Sequence, residues 1–278
     1  MAKECDNSSC TKEDCAGCKE KKENGIPKEE CNQFSKIRRV IGIVSGKGGV
    51  GKSFMAASLA NQLAAKGYRV GIMDADVTGP SIPKMYGLKG AASADENGIR
   101  PMVTENGIKI ISVNLLLPTE ETPVIWRGPV IANMVKQFWT DVVWEEIDYL
   151  LVDMPPGTGD VPLTVFQSLP IDGVVIVTSP QDLVRMIVKK AYNMADMMHV
   201  PVLGIVENYS YVKCPDCNKE LKVFGESHID EIAGELNVPV LGKIPVDPEF
   251  ASAADKGIFH TVQNEYLTDG VRVMPEIS

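Results

Sequence analysis

The sequence predicts an α/β fold: a doubly wound, mostly parallel sheet with helices on both faces. Two observations support this prediction. Short apolar runs rich in β-branched residues alternate with helical patterns along most of the chain, which is the order of βαβ units. A glycine-rich turn also joins the first of these runs directly to the first helix. With 278 residues, of which 44% are apolar, the chain can bury one large core.

Composition argues against several classes of protein. A formal net charge of −9 disfavours a protein that mainly coats nucleic acid or anionic lipid. No apolar run reaches the ~20 residues needed to span a bilayer. The amino terminus, MAKECDNSSC, lacks the apolar stretch of a secretory signal. We therefore expect a cytoplasmic protein with no nucleic-acid or membrane partner, whose thiols stay reduced.

Residues 1–36 are predicted to form a small cysteine-rich extension, and residues 37–278 the main domain. The extension is too polar to fold unaided, yet it holds Cys5 and four further cysteines. Thiolates at C-x4-C-x2-C spacing with a later fourth ligand suit an Fe–S cluster, or zinc, and metal binding would supply folding energy. A disordered tail without metal is the alternative. The candidate ligands are Cys10, Cys15, Cys18 and Cys31.

The first predicted strand, Val40–Val44, leads into a phosphate-binding motif. Residues 46–53 fit G-x-x-x-x-G-K-[ST], the P-loop, and a helical pattern over Phe54–Lys66 follows at once. The predicted fold is therefore of the P-loop NTPase type. We expect Lys52 to reach the β- and γ-phosphates of ATP and Ser53 to hold Mg²⁺. The residues predicted to surround the nucleotide are Gly46, Lys47, Gly48, Gly49, Val50, Gly51, Lys52, Ser53 and Phe54.

The second predicted strand, Tyr68–Met73, ends in two carboxylates, Asp74 and Asp76. Side chains at the carboxyl end of a strand lie where open α/β sheets bind ligands. We assign Asp76 to orienting the water that attacks the γ-phosphate; in the alternative interpretation both carboxylates cap a turn or a helix, which suits Asp74 better than Asp76. Residues 87–107 are predicted to form a surface excursion, followed by the strand Ile108–Val113.

An apolar strand, Tyr149–Val152, ends at Asp153, which is the Walker B arrangement. Asp153 is therefore predicted to hold Mg²⁺ directly or through water. Gly157, in the loop that follows, is expected to bring a backbone N–H to the γ-phosphate. The other predicted elements are a helix within residues 126–144, strand Gly173–Thr178, helix Leu183–Met198, strand Val202–Val206, helix Ile229–Leu236 and strand Val240–Ile244.

Lys47 follows the first glycine of the motif, so GKGGVGKS resembles the deviant Walker A of the MinD, ParA and nitrogenase-iron-protein class. In that class the early lysine reaches across a dimer interface to the nucleotide of the partner. The resemblance implies a catalytic role for Lys47 in a homodimer, whereas the alternative is a solvated loop lysine.

Six motifs in order resemble the Mrp/ApbC family of iron–sulfur cluster carrier ATPases over about residues 37–260: SGKGGVGKS, DADVTGPSIP, LLVDMPPGTGD, VENYS, CPDC and GKIPVD. The resemblance implies an ATP-hydrolysing homodimer that holds a labile [4Fe–4S] cluster and passes it to apo-proteins. The cysteine-bearing extension resembles that of the eukaryotic and archaeal cluster-scaffold branch of the family. The spacing of Cys10, Cys15, Cys18 and Cys31 differs, however, from the usual pattern of that branch. Residue by residue, the resemblance implies P-loop roles for Lys47, Lys52 and Ser53, the hydrolytic acid at Asp76, the Walker B acid at Asp153, adenine contacts from Asn208 and the segment from Pro245 through Val246 to Asp247, and cluster ligands at Cys214 and Cys217.

The residues of CPDC leave three interpretations open, because Cys214 and Cys217 supply only half of a tetrahedral site. The pair is a redox dithiol, half of a zinc site completed by His228 or the N-terminal cysteines, or half of a cluster completed by the same pair of a second copy.

Two other functions compete with that of a carrier. A MinD-like positioning ATPase is expected to end in a basic amphipathic helix, whereas this sequence ends in VRVMPEIS. A ParA-like one is expected to have a strongly basic surface, whereas the net charge here is −9. An ATP-dependent reductase like the nitrogenase iron protein, whose cluster moves electrons, is the third hypothesis.

Overall fold

The structure is a computed structural model that describes residues 28–76, 81–116, 128–180, 184–267 and 269–277. Strands and helices alternate along the chain, as predicted. The strands are β1 (Lys36–Val44), β2 (Val70–Asp74), β3 (Ala94–Asp95), β4 (Gly98–Ile99), β5 (Met102–Val103), β6 (Lys109–Ser112), β7 (Glu146–Asp153), β8 (Gly173–Thr178), β9 (Val202–Glu207), β10 (Val212–Lys213), β11 (Glu220–Leu221) and β12 (Val240–Lys243). The helices are α1 (Lys52–Ala65), α2 (Ile82–Met85), α3 (Gly128–Thr140), α4 (Asp160–Ser168), α5 (Val184–Met197), α6 (Ile229–Leu236) and α7 (Pro248–Asp255).

The main sheet has the strand order β12-β9-β8-β1-β7-β2-β6-β5 within the described residues. Its neighbouring strands are parallel except β5 and β6, which are antiparallel. Because the other strands run in one direction, their carboxyl ends meet at one edge of the sheet, which we call the carboxyl edge. The opposite edge, where these strands begin, is the amino edge. Two small hairpins, β3–β4 and β10–β11, lie outside this sheet.

Side-chain alternation along the strands divides the core into two layers. In β1, Val40 and Val44 face one layer, whereas Ile41 and Ile43 face the other. The first layer packs α3, α4, α5 and α6 against the sheet, and the second packs α1, α2 and α7 against its other face. The prediction of a doubly wound α/β fold is therefore confirmed. None of the helices in the described ranges is long and apolar enough to cross a membrane.

The structure contains strands and helices beyond the predicted ones, and α2, β10 and β11 are among them. β1 begins at Lys36 rather than Val40, because its backbone pairs with β7 from Lys36 opposite Glu146 although the side chains there are not buried. Residues 87–107 contain β3, β4 and β5, so part of this surface excursion joins the sheet. α4 and α7, which have nine and eight residues, were not predicted from the sequence.

Residues 28–35, which we call the strap, attach to α3 and α4 at the amino edge. The N–H of Glu29 donates to the carbonyl oxygen of Ser168 at 2.9 Å, and its carbonyl accepts from Trp139 Nε1 at 2.8 Å. Closer to β1, Ser35 Oγ accepts from the N–H of Trp144 at 2.8 Å. The strap therefore packs with the main domain, although the division between residues 36 and 37 stays a prediction.

Candidate functional site

The P-loop connects β1 to α1 at the carboxyl edge. It requires glycine where the backbone is left-handed and where a neighbouring segment leaves no room for a Cβ. Gly49 and Gly51 have φ of 76° and 79°, which side chains with a Cβ rarely adopt. A Cβ on Gly51 would also lie 2.2 Å from the amide nitrogen of Asn208. On the other side, a Cβ on Gly46 would lie 2.4 Å from the side chain of Ile187 in α5. The loop is therefore held between α5 and the segment that follows β9.

A cavity of about 450 Å³ opens beside the P-loop, and we call it the phosphate cavity. Gly46 and Lys47 complete the loop but do not line this cavity; the carbonyl oxygen of Lys47 accepts from Ser45 Oγ at 2.9 Å. The predicted residues that line it are Gly48, Gly49, Val50, Gly51, Lys52, Ser53, Phe54 and Asp76, and they are joined by Ser45, Ser81, Met85, Pro156 and Tyr209.

Lys52 is the buried cation of this cavity. Its Nζ donates to Asp153 at 2.6 Å and lies 3.4 Å from Asp76. Ser53 Oγ donates to the second carboxylate oxygen of Asp153 at 2.5 Å. Burial opposes the charged form of Lys52, but attraction to Asp153 and Asp76 outweighs burial and raises its pKa. The structure thus brings together the four side chains that the sequence assigned to phosphate, metal and water.

Asp74 is a third carboxylate in this group, because β2 and β7 pair with Asp74 opposite Asp153. Burial, together with the negative charge of Asp153, raises the pKa of Asp74 well above its usual range. One of its oxygens accepts from the N–H of Asp76 at 3.2 Å, and the other accepts from Ser112 Oγ at 3.0 Å. Asp74 therefore fixes the turn that presents Asp76.

The loop after β7 forms another wall of the phosphate cavity, where Pro156 lines it. The N–H of Gly157 donates to the carbonyl oxygen of Ser45 at 2.8 Å. We expected this N–H to face a γ-phosphate, and in this structure that expectation is wrong. The loop folds back on the chain beside the P-loop, so the donor is used within the protein.

A second cavity of about 410 Å³, which we call the base cavity, adjoins the phosphate cavity. The two share Phe54, Ser81, Met85 and Tyr209 as lining residues. One end of the combined space therefore presents the buried charge of Lys52, and the other end is largely apolar, which suits a nucleotide. The base cavity is also lined by the predicted residues Asn208, Pro245, Val246 and Asp247, and by Lys84, Phe250, Ala251, Ala254 and Asp255, which were not predicted.

The unpredicted residues of the base cavity come from α2 and α7, which are far apart in sequence and meet only in the fold. Phe250 of α7 packs against Phe54, with ring centroids 5.3 Å apart. A local pattern did indicate α7, because Asp247-Pro248 is a typical helix start and Asp247 accepts from the N–H of Glu249 at 2.8 Å. No local pattern indicated which cavity the helix would line.

Asn208 and Tyr209 connect the base cavity to the P-loop. Asn208 Nδ2 donates to the carbonyl oxygen of Val50 at 3.0 Å, so the predicted adenine-contacting residue also holds the P-loop backbone. Tyr209 lines both cavities and has φ of 59°, a left-handed conformation that is unusual for a bulky side chain. Tyr209 was not among the predicted site residues, since no residue pattern indicated this conformation.

Cys214 and Cys217 form the turn at the tip of the β10–β11 hairpin, which follows β9 at the carboxyl edge. The N–H of Cys214 donates to the carbonyl oxygen of Lys219 at 3.0 Å. The Cys217 side chain is exposed and that of Cys214 is partly exposed. Backbone amides of Cys217 and Asp216 hold the pKa of the Cys214 thiol below its usual range, which favours the metal-binding thiolate.

Comparison with known proteins identifies the family. The sequence model of the NUBPL iron-transfer P-loop NTPases matches residues 36–274. The chain belongs to this family. Membership confirms the predicted P-loop NTPase fold and the resemblance to iron–sulfur carrier ATPases. The cysteine-rich extension lies ahead of the residues that match the NUBPL family.

Several relatives of this NUBPL-family chain are iron-sulfur cluster carrier proteins. The protein of Clostridium perfringens is 45% identical over 262 residues, which cover 87% of this chain and 92% of the relative. That of Methanocaldococcus jannaschii is 50% identical over 227 residues, covering 81% of this chain and 78% of the relative. These relatives match over most of both chains.

Solved structures agree with the fold. A nucleotide-binding protein of Archaeoglobus fulgidus in complex with ADP is 42% identical, with a TM-score of 0.74 over 81% of this chain and 88% of that one. The cell division ATPase MinD of Pyrococcus furiosus is 19% identical, with a TM-score of 0.59 over 85% of this chain and 98% of that one. At this identity the MinD likeness concerns the fold alone.

The three cysteines that the structure describes in this NUBPL-family chain lie at both edges of the sheet. Cys31, in the strap, packs partly buried against the first core layer, and burial raises the pKa of its thiol. The nine residues of β1 place it ~30 Å from the carboxyl edge. In the described part of the chain, no third His, Cys, Asp or Glu, His228 included, joins Cys214 and Cys217 in a group that could hold a metal ion. Cys10, Cys15 and Cys18 lie outside the described residues.

Proposed function

We propose that this chain is an ATP-hydrolysing carrier that binds a labile [4Fe–4S] cluster and transfers it to apo-proteins in the cytoplasm. One observation carries the proposal: the carboxyl edge bears both a nucleotide-sized cavity with P-loop charges and the accessible CPDC thiols. The name of the relatives, iron-sulfur cluster carrier protein, supports it.

The residues around Lys52 supply the chemistry of hydrolysis. Lys52 leaves Asp153 and binds the β- and γ-phosphates of ATP, and Asp76 orients the water that attacks the γ-phosphate. Ser53 and Asp153 present hydroxyl and carboxylate oxygens, the donors that Mg²⁺ prefers, so they would hold that ion. When bound, Mg²⁺ neutralises phosphate charge. The backbone N–H groups of residues 48–53 bind the phosphate oxygens.

The base cavity holds the adenine of ATP. Asn208, Pro245 and Asp247 contact the base, and the ring of Phe54, shared by both cavities, packs beside the nucleoside. Because Asn208 also bonds to the carbonyl oxygen of Val50, occupation of the base cavity and the shape of the P-loop depend on one another.

The cluster is the cargo, and a homodimer holds it between two copies of CPDC. Cys214 and Cys217 of each copy together give the four thiolates that a [4Fe–4S] cluster takes. A cluster shared between chains is exposed and can leave, as a carrier requires. In the same dimer, Lys47 reaches the nucleotide of the other copy. The cysteines of the extension, with Cys31 at the opposite edge of the sheet, hold a separate metal site.

The test measures iron and sulfide in anaerobically reconstituted protein. It uses the full chain with Cys5, Cys10, Cys15 and Cys18 replaced by serine, which removes the metal of the extension. We expect this chain to bind one [4Fe–4S] cluster per dimer and to activate apo-aconitase. The added change Cys214→Ser should abolish both properties and leave ATP binding intact. The matched control is Cys31→Ser, which removes a thiol at the other edge and should leave iron unchanged.

Two outcomes contradict the bridged cluster. The first is a chain with only Cys31, Cys214 and Cys217 that binds no iron. The second is equal iron with and without Cys214. If the cluster binds but never reaches an apo-protein, and instead reduces an acceptor in an ATP-dependent manner, the reductase hypothesis replaces the carrier.

A further inference from the structure

The segment from Glu207 to Cys214 connects the P-loop and the two cavities to the CPDC thiols. Asn208 bonds to the P-loop, and Tyr209 lines both cavities. The N–H of Ser210 donates to the carbonyl oxygen of Ile244 at 2.9 Å, next to the residues that line the base cavity. β10 then begins at Val212 and ends one residue before Cys214. A displacement of this segment by nucleotide would therefore reach the thiols over a few residues.

Glu207 anchors the start of this segment in the core. Its side chain is fully buried, and one carboxylate oxygen accepts from Ser210 Oγ at 2.7 Å. The other oxygen, Oε1, has no hydrogen-bond partner among the described residues. Burying a carboxylate with an unpaired oxygen costs stability, and an apolar residue of similar size would avoid that cost. An apolar residue, however, could not accept the hydrogen bond from Ser210 Oγ that Glu207 accepts.

The side-chain contact is not needed to satisfy the backbone of this turn. The carbonyl oxygen of Glu207 already accepts from the N–H of Ile244 at 2.8 Å, and the N–H of Ser210 is bonded to the carbonyl of the same residue. The Glu207–Ser210 contact therefore adds orientation to a turn whose backbone groups are already paired. It fixes the direction in which the chain leaves the sheet toward β10.

Tyr209 supplies the element that nucleotide can move. Its left-handed φ of 59° is a strained conformation for a residue of this size, and such strain persists only where surrounding contacts hold it. The contacts on its two sides are those of Asn208 to the P-loop and of Ser210 to Glu207. A ligand that pushes on the Tyr209 ring from either cavity therefore acts against both contacts.

We propose that Glu207 and Ser210 are positioning residues that transmit nucleotide occupancy through Tyr209 to the CPDC thiols. The inference rests on the proposed function, which it deepens by assigning the link between ATP and the cluster ligands. With the hydroxyl of Ser210 anchored to Glu207, movement of Tyr209 turns the hairpin that carries Cys214 and Cys217. Without this anchor, the turn at residues 208–210 absorbs the movement.

The test measures the rates at which iodoacetamide alkylates Cys214 and Cys217 in the full, metal-free chain, with peptides quantified by mass spectrometry. Rates are compared without nucleotide, with Mg²⁺ and ADP, and with Mg²⁺ and a non-hydrolysable ATP analogue. In the unmodified chain we expect the analogue to change the rate by about fivefold or more, the lower end of typical coupling between sites. Ser210→Ala should bind both nucleotides with unchanged Kd and lose the change in rate.

Three further variants test whether loss of the nucleotide effect in Ser210→Ala is due to the missing hydroxyl. Ser210→Thr keeps a hydroxyl and should restore the nucleotide effect, and Ser227→Ala, beyond the hairpin, should leave the effect intact. Glu207→Gln keeps an acceptor for Ser210 and should also preserve the effect, so the proposal stays testable if Ser210→Ala does not fold.

The proposal is overturned if the unmodified chain shows no nucleotide effect, if Ser210→Ala retains that effect, or if Glu207→Gln abolishes it. It is also overturned if Ser210→Ala weakens nucleotide binding as strongly as it reduces the change in rate, because Ser210 would then act on the base cavity itself. Since alkylation needs no iron, failure of the chain to carry a cluster is recognised separately from failure of this link.

Discussion

At the residue scale, the structure shows Lys52 engaged by the chain's own carboxylates. Asp153 at 2.6 Å and Asp76 at 3.4 Å compensate its charge in a site where only 5% of its side chain is exposed. ATP must therefore exchange one set of negative partners for another. Removing the Lys52 cation and removing the Asp76 carboxylate should therefore have different effects on nucleotide binding and on hydrolysis.

The first prediction separates these effects. Lys52→Ala should abolish nucleotide binding, because the phosphates lose their buried cation. Asp76→Asn should leave the Kd for ATP nearly unchanged and slow hydrolysis, because the amide keeps the shape of the carboxylate and loses its charge toward water. Equilibrium titration with a fluorescent ATP analogue and phosphate release report the two properties. Hydrolysis at the normal rate in Asp76→Asn would assign the water to another residue.

A second prediction concerns Asp74, whose pKa burial and Asp153 raise in the folded chain. The folded state then binds the Asp74 proton more tightly than the unfolded state, so this residue lowers stability as the pH rises above about 4. Asp74→Asn should raise the melting temperature at pH 7 and lose that advantage as the pH approaches 4. Thermal unfolding across this range provides the measurement. The exposed Asp196→Asn is the control, and an equal pH profile in both variants would contradict the prediction.

At the scale of elements, the close approach of α5 to the P-loop sets a steric limit. Gly46→Ala would place a Cβ 2.4 Å from the Ile187 side chain and 2.7 Å from its carbonyl oxygen. We expect a loss of ~1–3 kcal/mol in unfolding free energy, as in other overpacked sites, and weaker ADP binding because the loop shifts. Urea unfolding and ADP titration measure both. In the control Gly48→Ala, the nearest atom lies at 4.0 Å, and equal losses in the two variants would exclude a steric cause.

The elements also show which parts of the fold the sequence could predict. Buried strands such as β8 and the second half of β1 were identified because both faces of the sheet are covered and the runs are continuously apolar. The first four residues of β1, Lys36–Arg39, pair with β7 through their backbone but have a mostly polar pattern and no fully buried side chain. The short α4 and α7 bury too few side chains for a clear helical period, and the sequence of α7 carries only the start signal Asp247-Pro248.

At the scale of the whole molecule, the prediction of the site depended on how local its parts are. The P-loop is one continuous motif, so Lys52 and Ser53 could be placed from sequence alone. Asp76 and Asp153 could be placed because the ends of parallel strands meet at one edge. Phe250 and the left-handed Tyr209 could not, since they depend on α7 closing over the base cavity and on strain held by tertiary contacts.

The strap has a consequence for where this protein can be shortened. A chain that begins at residue 37 lacks the partners of Trp139 Nε1 and of the Ser168 carbonyl, whereas one that begins at residue 28 keeps them. We expect the shorter chain to lose ~1 kcal/mol for each of these hydrogen bonds in urea unfolding; equal stability of the two chains would contradict this. A protease that cuts just ahead of residue 28 would then detach Cys5, Cys10, Cys15 and Cys18 from an intact NTPase, whereas a cut within residues 28–35 would damage it.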